Sequence, residues 1–150
     1  MISRYEVFSA SVSSVYHDIQ KIERVEMAKF GLKGPHAQCL LTMLRHPEGV
    51  TAAKLCGLCE KDKAAVSRTV AELEQAGMIS RDDRGGSRYR VKLTLTEQGK
   101  TAAEAVSQRV LLAVEQAGAG LEDERRQIFY QVMALIAGNL HAICKDGLDQ

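Results

Sequence analysis

Residues Lys61–Arg81, KDKAAVSRTVAELEQAGMISR, spell out a helix with two unlike faces. Val66, Val70 and Leu73 recur at steps of four and three, the spacing of one apolar helix face, and Met78 extends the series beyond it. Asp62 stands where an N-cap belongs and Gly77 where a helix stops, so the pattern predicts a helix over about 62–77. The other face is polar and carries Lys63, Ala64, Ser67, Arg68 and Thr69. A helix with a core-facing stripe and a small, cationic outer face suits an anionic groove, and the DNA major groove admits such a helix.

The flanking residues complete a pattern around it. Gly31 and Gly34 mark a break, and Pro35 suits the start of a helix that runs through Cys39, Leu40 and Leu44 to about His46. HPEGV, residues 46–50, reads as a turn. Thr51 is a good N-cap for a short helix containing Leu55 and Leu58. Glu60-Lys61-Asp62 is then the tight turn of a helix-turn-helix. Downstream, Met78–Arg81 reads as a short strand and Asp82–Ser87 as a tip. Tyr89, Val91, Leu93 and Leu95 alternate with Arg90, Lys92 and Thr94 as a second strand. This is a wing over about 78–95. Arg84, Arg88, Arg90 and Lys92 fall in it with no acid between them, a local cationic patch.

Both ends of the chain read as long helices. Tyr5, Phe8, Val12, Val15, Ile19 and Ile22 form one narrow stripe, like a seam against another helix. Thr96–Gly99 opens a fifth helix with Ala103, Val106, Val110 and Val114 on its apolar side, ending at Gly118–Gly120. Glu122, Asp123 and Glu124 suit the first turn of a last helix carrying Ile128, Val132, Leu135, Ile136, Leu140 and Ile143. The expected fold is mainly α with a small β wing (α+β). It comprises an N-terminal helix in 1–30, a winged helix-turn-helix lobe in 31–99 and C-terminal helices in 100–150.

This arrangement resembles the MarR family of winged helix-turn-helix transcription regulators. The resemblance rests on D-K-x-x-V-S-R at Asp62–Arg68, L-E-x-x-G-x-I-x-R at Leu73–Arg81 and L-T-x-x-G at Leu95–Gly99, in that order and spacing. It implies a dimeric, sequence-specific regulator, often a repressor relieved by a small molecule. The terminal helices would interlock two subunits, the recognition helix would enter the major groove of a pseudo-palindromic operator in double-stranded DNA, and the wing would lie on the flanking minor groove. DNA contacts would then come from Thr51, Lys63, Ala64, Ser67, Arg68, Thr69, Arg84, Arg88 and Arg90. Where the family often carries Asp-x-Arg in the wing, this chain has Ser87-Arg88-Tyr89, which leaves Arg88 as the nearest minor-groove cation. The family's effector site, between the dimer helices and the DNA-binding lobe, would bring Tyr16, His17, His36 and Cys39 near a pocket.

Composition sets the bounds. Lys and Arg number 20 against 19 Asp and Glu, so the overall charge carries no nucleic-acid signal and the local distribution must. No apolar run reads as a membrane span and the N-terminus lacks a signal-peptide core, so a cytoplasmic protein with reduced cysteines is expected. Cys56-Gly57-Leu58-Cys59 is a lone C-x-x-C with no second pair and no nearby histidine, which favours core packing over redox sensing or zinc. His17, His36, His46 and His141 are scattered, so no metal or other cofactor is expected. No phosphate loop or nucleophile motif points to an enzyme. The competing readings are a cysteine-based redox regulator and a winged-helix protein-interaction module that binds no DNA.

Overall fold

The computed structural model describes residues 2–82 and 91–148. By internal contacts the chain divides into two compact units, Met1–Leu112 and Ala113–Gln150.

The first unit opens with α1, Arg4–Ala28. Ser3 starts it through a capping box: its hydroxyl accepts the Glu6 N–H at 3.1 Å, and its own N–H donates to the Glu6 carboxylate at 2.6 Å. Three helices follow, α2 (His36–Leu44), α3 (Ala52–Cys59) and α4 (Lys63–Gln75). The expected caps are in place. Thr51 Oγ1 accepts from Lys54 N–H at 3.2 Å, and Asp62 Oδ1 accepts from Ala65 N–H at 2.8 Å. Each such cap contributes about 1 kcal/mol to the helix it starts. Between α3 and α4 the chain reverses through Glu60, which takes a left-handed φ of 51°. That bend lets the Lys61 N–H close back onto the Cys56 carbonyl at 3.2 Å.

Val66, Val70 and Leu73 of α4 are buried, as their spacing predicted. They join Leu40 and Met43 of α2 and Leu55 of α3 in one core. Two strands close it, β1 (Ile79–Asp82) and β2 (Lys92–Leu95), antiparallel with Ile79 opposite Leu95 and Asp82 opposite Lys92. Val50 adds a bridge to Leu93, each N–H reaching the other's carbonyl at 3.0 and 2.8 Å. Ile79 and Leu93 are the strand residues buried in the core.

The Leu-Thr-x-x-Gly segment has a physical reason. Thr96 Oγ1 accepts from the Gly99 N–H at 3.1 Å, donates to the Gly77 carbonyl at 2.6 Å, and the Thr96 N–H reaches the Met78 carbonyl at 3.0 Å. One threonine therefore caps α5 (Glu97–Ala117) and ties it to the end of the α4 region. Gly99 is needed because α5 passes so close that a Cβ there would overlap the Met78 carbonyl oxygen. Ala102, Ala103 and Val106 then enter the core.

The second unit contains α6, Asp123–Asp146, whose Arg126 donates back to the Gly118 carbonyl of the preceding turn at 2.9 Å. No described residue of α6 is buried within the chain. Ile128, Phe129, Val132, Leu135 and Leu140 all stand exposed, as do Tyr5, Val12 and Val15 of α1. The expectation that no segment could span a membrane is corrected here: by length and composition alone, α6 is long and apolar enough. The sequence hid this because Gln131, Asn139 and His141 interrupt the apolar run without adding charge.

Candidate nucleic-acid interface

The helix-turn-helix fixes one face of α4 outward. With Val66, Val70 and Leu73 committed to the core, Lys63, Ala64, Ser67 and Arg68 are left exposed. Lys63 and Ser67 border a groove with Ala52, Ala53 and Arg81, so the start of α3 and the base of the wing share that side. Thr51 is half-buried, and its hydroxyl is already used as a cap. Thr69 departs from the rest: it is half-buried and faces a small cavity with Cys39, Leu55 and Cys59. Arg84, Arg88 and Arg90 lie outside the described residues.

The two acids of α4 are both engaged with cations or donors. Glu72 receives the His36 Nε2 at 2.6 Å and the Lys33 ammonium at 3.4 Å. These hydrogen bonds, the histidine's foremost, hold its carboxyl below the usual glutamate range. Glu74 accepts from Arg81, whose Nε and Nη2 both approach it at 2.7 Å. A helix meant for a polyanion would otherwise carry two repulsive charges in its last turns; here each has a positive or hydrogen-donating neighbour within the protein.

A second feature lies under α1. Tyr16, Ile19, Gln20, Glu23 and Arg24 line a cleft of about 420 Å³ with Gly34, Pro35, Gln38 and Lys61. Of the four expected effector residues, Tyr16 alone lines it. His17 is exposed and its Nδ1 lies 2.9 Å from the Ser13 carbonyl, on its own helix. His36 is buried one residue beyond Pro35. Cys39 is buried behind Gln38, in the small cavity that Thr69 borders. Glu23, Arg24, Gln38 and Lys61 line the cleft and were not among the residues expected there. The α1 members could have been found from spacing, since 16, 20 and 23 follow the i, i+4, i+7 rule of a helix face. Burial pushes the Glu23 carboxyl up, and the Lys61 charge partly offsets this.

The C-x-x-C cysteines face different surroundings. Cys59 is buried with its thiol 3.7 Å from Thr42 Oγ1, while Cys56 is half-exposed and borders the groove beside α4. The neighbour of Cys59 is Cys39, whose thiol burial pushes up to about 12, with the nearby Cys59 adding to the effect. All four cysteines are free thiols. Among the described residues, no three His, Cys, Asp or Glu side chains converge as a metal site would require.

The MarR family profile matches residues 30–88. Over 140 residues the chain is 25% identical to the uncharacterized HTH-type transcriptional regulator YdgJ of Bacillus subtilis (strain 168), covering 91% of this chain and 85% of that protein. The fold is similar to that of a MarR family transcriptional regulator from Listeria monocytogenes, solved in complex with a 26mer DNA. That pair has a TM-score of 0.81 and 16% identity, over 94% of this chain and 95% of that one. It is also similar to the MepR–DNA complex of S. aureus, with a TM-score of 0.77 and 14% identity over 93% and 99% of the two chains. The profile match falls on the DNA-binding lobe, and the winged helix-turn-helix fold is shared along most of the length with solved MarR family regulators.

Proposed function

We propose that this chain is a cytoplasmic, homodimeric, sequence-specific DNA-binding transcription regulator, acting as a repressor that a small molecule relieves. The observation that carries the reading is the exposed face of α4. Lys63, Ala64, Ser67 and Arg68 stand outward while Glu72 and Glu74 are tied to neighbouring side chains. Residues 31–99 form the DNA-binding lobe, and the helices of 1–30 and 100–150 hold the dimer. Exposed Tyr5, Val12, Val15, Ile128, Val132 and Leu135 supply the apolar surface for a second copy. Two α4 helices related by a two-fold would then enter successive major grooves about 34–36 Å apart. The wing would lie on the flanking minor groove, with Arg88 the first candidate contact in the sequence and Arg84 and Arg90 the next. Thr51 and Thr69 act more as supports of α3 and α4 than as exposed contacts. The cleft of about 420 Å³ beneath α1 is the effector site this reading favours, with Tyr16, Gln38 and Lys61 around it.

The test is titration of variants against a bound genomic fragment and a scrambled duplex at several salt concentrations. Arg68→Ala is expected to cost about 1–3 kcal/mol on the bound fragment and to relax sequence preference. Arg88→Ala is expected to weaken both duplexes alike and to lower the salt slope by about one unit per contact. If neither variant changes affinity while the fold is intact, the DNA-binding face is misassigned. An unaltered chain without salt-sensitive binding returns the reading to a protein-interaction module.

A further inference from the structure

His36 is 4% exposed, and its two hydrogen bonds fix where its proton sits. Nδ1 lies 3.0 Å from the Lys33 backbone nitrogen. A backbone N–H can only donate, so Nδ1 is the acceptor and carries no hydrogen. Nε2 therefore holds the ring proton and donates it to Glu72 Oε2 at 2.6 Å. The ring is thus a neutral donor aimed from the α1–α2 corner at one carboxylate on α4. Lys33 Nζ adds a longer approach, 3.4 Å, to the other oxygen of that carboxylate.

Glu72 lies one turn beyond Arg68, at i+4, on the same stretch of helix surface. The core contacts of Val66, Val70 and Leu73 set which face of α4 points outward, and a directional bond on its flank adds a restraint on the last few degrees of roll. A hydrogen bond is directional and fails within about 1 Å of stretch. With side chains at about 5–6 Å from the helix axis, a roll of about 10° moves a side-chain atom by about 1 Å. The His36–Glu72 bond therefore limits roll to about that angle. The same roll would carry the longer Arg68 side chain out of register with a base edge, which tolerates as little.

We propose that His36 is a positioning residue for base recognition: as the Nε2–H donor to Glu72 it sets the roll of α4 and so the aim of Arg68. The inference rests on α4 being the base-reading helix. It differs from a simple stability role because it predicts a loss of discrimination rather than a uniform loss of binding.

Two substitutions separate the ring's two bonds. His36→Asn keeps an acceptor for the Lys33 N–H but is too short to reach Glu72. His36→Gln keeps an N–H that reaches Glu72 and gives up the Lys33 acceptor. The measurement is the ratio of affinities for a genomic fragment selected by the unaltered protein and for a scrambled duplex of the same length. His36→Asn should lower that ratio at least about fivefold, with affinity for the scrambled duplex changed by less than about twofold. His36→Gln should recover most of the ratio. A ratio that stays unchanged in His36→Asn overturns the proposal, and so does an equal fall in both variants. Should His36→Asn fail to fold, Glu72→Ala removes the same bond from the half-exposed side and must reproduce the loss of discrimination. If it keeps the full ratio, the proposal is overturned. If the unaltered protein itself shows no preference between duplexes, it is the DNA reading that fails, whatever the variants do.

Discussion

Replacing Gly99 by alanine should destabilise this protein, although glycine-to-alanine changes inside helices ordinarily do the reverse. Alanine is favoured over glycine in a helix by about 1 kcal/mol. At Gly99 the added Cβ would overlap the Met78 carbonyl oxygen and lie 2.9 Å from Met78 C, both backbone atoms that no rotamer change can move aside. Relief requires the start of α5 to shift by about 1 Å or more, and overpacking of that kind costs about 1–3 kcal/mol. The shift also strains the two hydrogen bonds from Thr96 to the backbone of Gly77 and Met78, each worth about 1 kcal/mol. Set against the propensity gain, the expected net loss is about 2–4 kcal/mol, a fall in Tm of roughly 5–15 °C for a chain of this size. Gly57→Ala is the matched control. Gly57 is exposed on α3, and a Cβ there would meet nothing within 4 Å, so this change should stabilise by about 0.5–1 kcal/mol. Thermal and urea unfolding followed by circular dichroism, at one fixed chain concentration, reads both. If Gly99→Ala is as stable as the parent, or gains like Gly57→Ala, the close approach of α5 to Met78 is wrong, and with it the account of the Leu-Thr-x-x-Gly segment.

Three further outcomes are expected. Size measurement at micromolar concentration should return twice the 16.5 kDa chain mass, and a clean monomer would remove both the dimer and the two-fold operator. Glu72 has a lowered pKa in the fold, chiefly through its bond from His36. Its contribution to stability is therefore complete above the ordinary glutamate range and is lost as pH falls through the lower native value. Acid titration of Glu72→Gln should accordingly show a shallower loss of stability below that range than the parent, and parallel curves would contradict the assignment. Cys39, a buried thiol pushed up to about 12, and buried Cys59 should resist peroxide and alkylation in the native protein. DNA affinity that falls reversibly with peroxide, and no longer does so in Cys59→Ser, would favour the redox reading instead.

The parts of this molecule that are legible in its sequence are those set within a few residues. The caps at Thr51 and Asp62 depend on donors three positions away, and the core stripe Val66–Val70–Leu73 depends on helical period, so both follow from local order. The arrangement of the remaining side chains depends on partners far along the chain. His36 and Glu72 are 36 positions apart, and neither residue type announces the other. Cys59 has its polar neighbour at Thr42 on α2, although the sequence places Cys56 beside it. Thr69 adjoins Arg68 in sequence, which suggests the exposed face, yet one residue is a 100° turn of the helix, and that turn carries it toward α2. The cleft under α1 takes in Tyr16 and leaves out its neighbour His17 for the same reason.

The lack of any buried side chain among the described residues of α6 has a consequence for how the protein comes into being. Helices in proteins draw most of their stability from packing an amphipathic face, and no described residue of α6 is buried within its own chain. In the proposed dimer that face is covered only when a second copy arrives, so that completing the fold and finding a partner would become one event. Stability then scales with abundance: each tenfold drop in chain concentration removes about 1.4 kcal/mol from the assembled state. A chain newly released from the ribosome, before it meets its twin, would expose Ile128, Phe129, Val132 and Leu135 to proteases and to other apolar surfaces. The cell's level of this protein would in that case be held up from below by a threshold, under which single chains are cleared before they can pair.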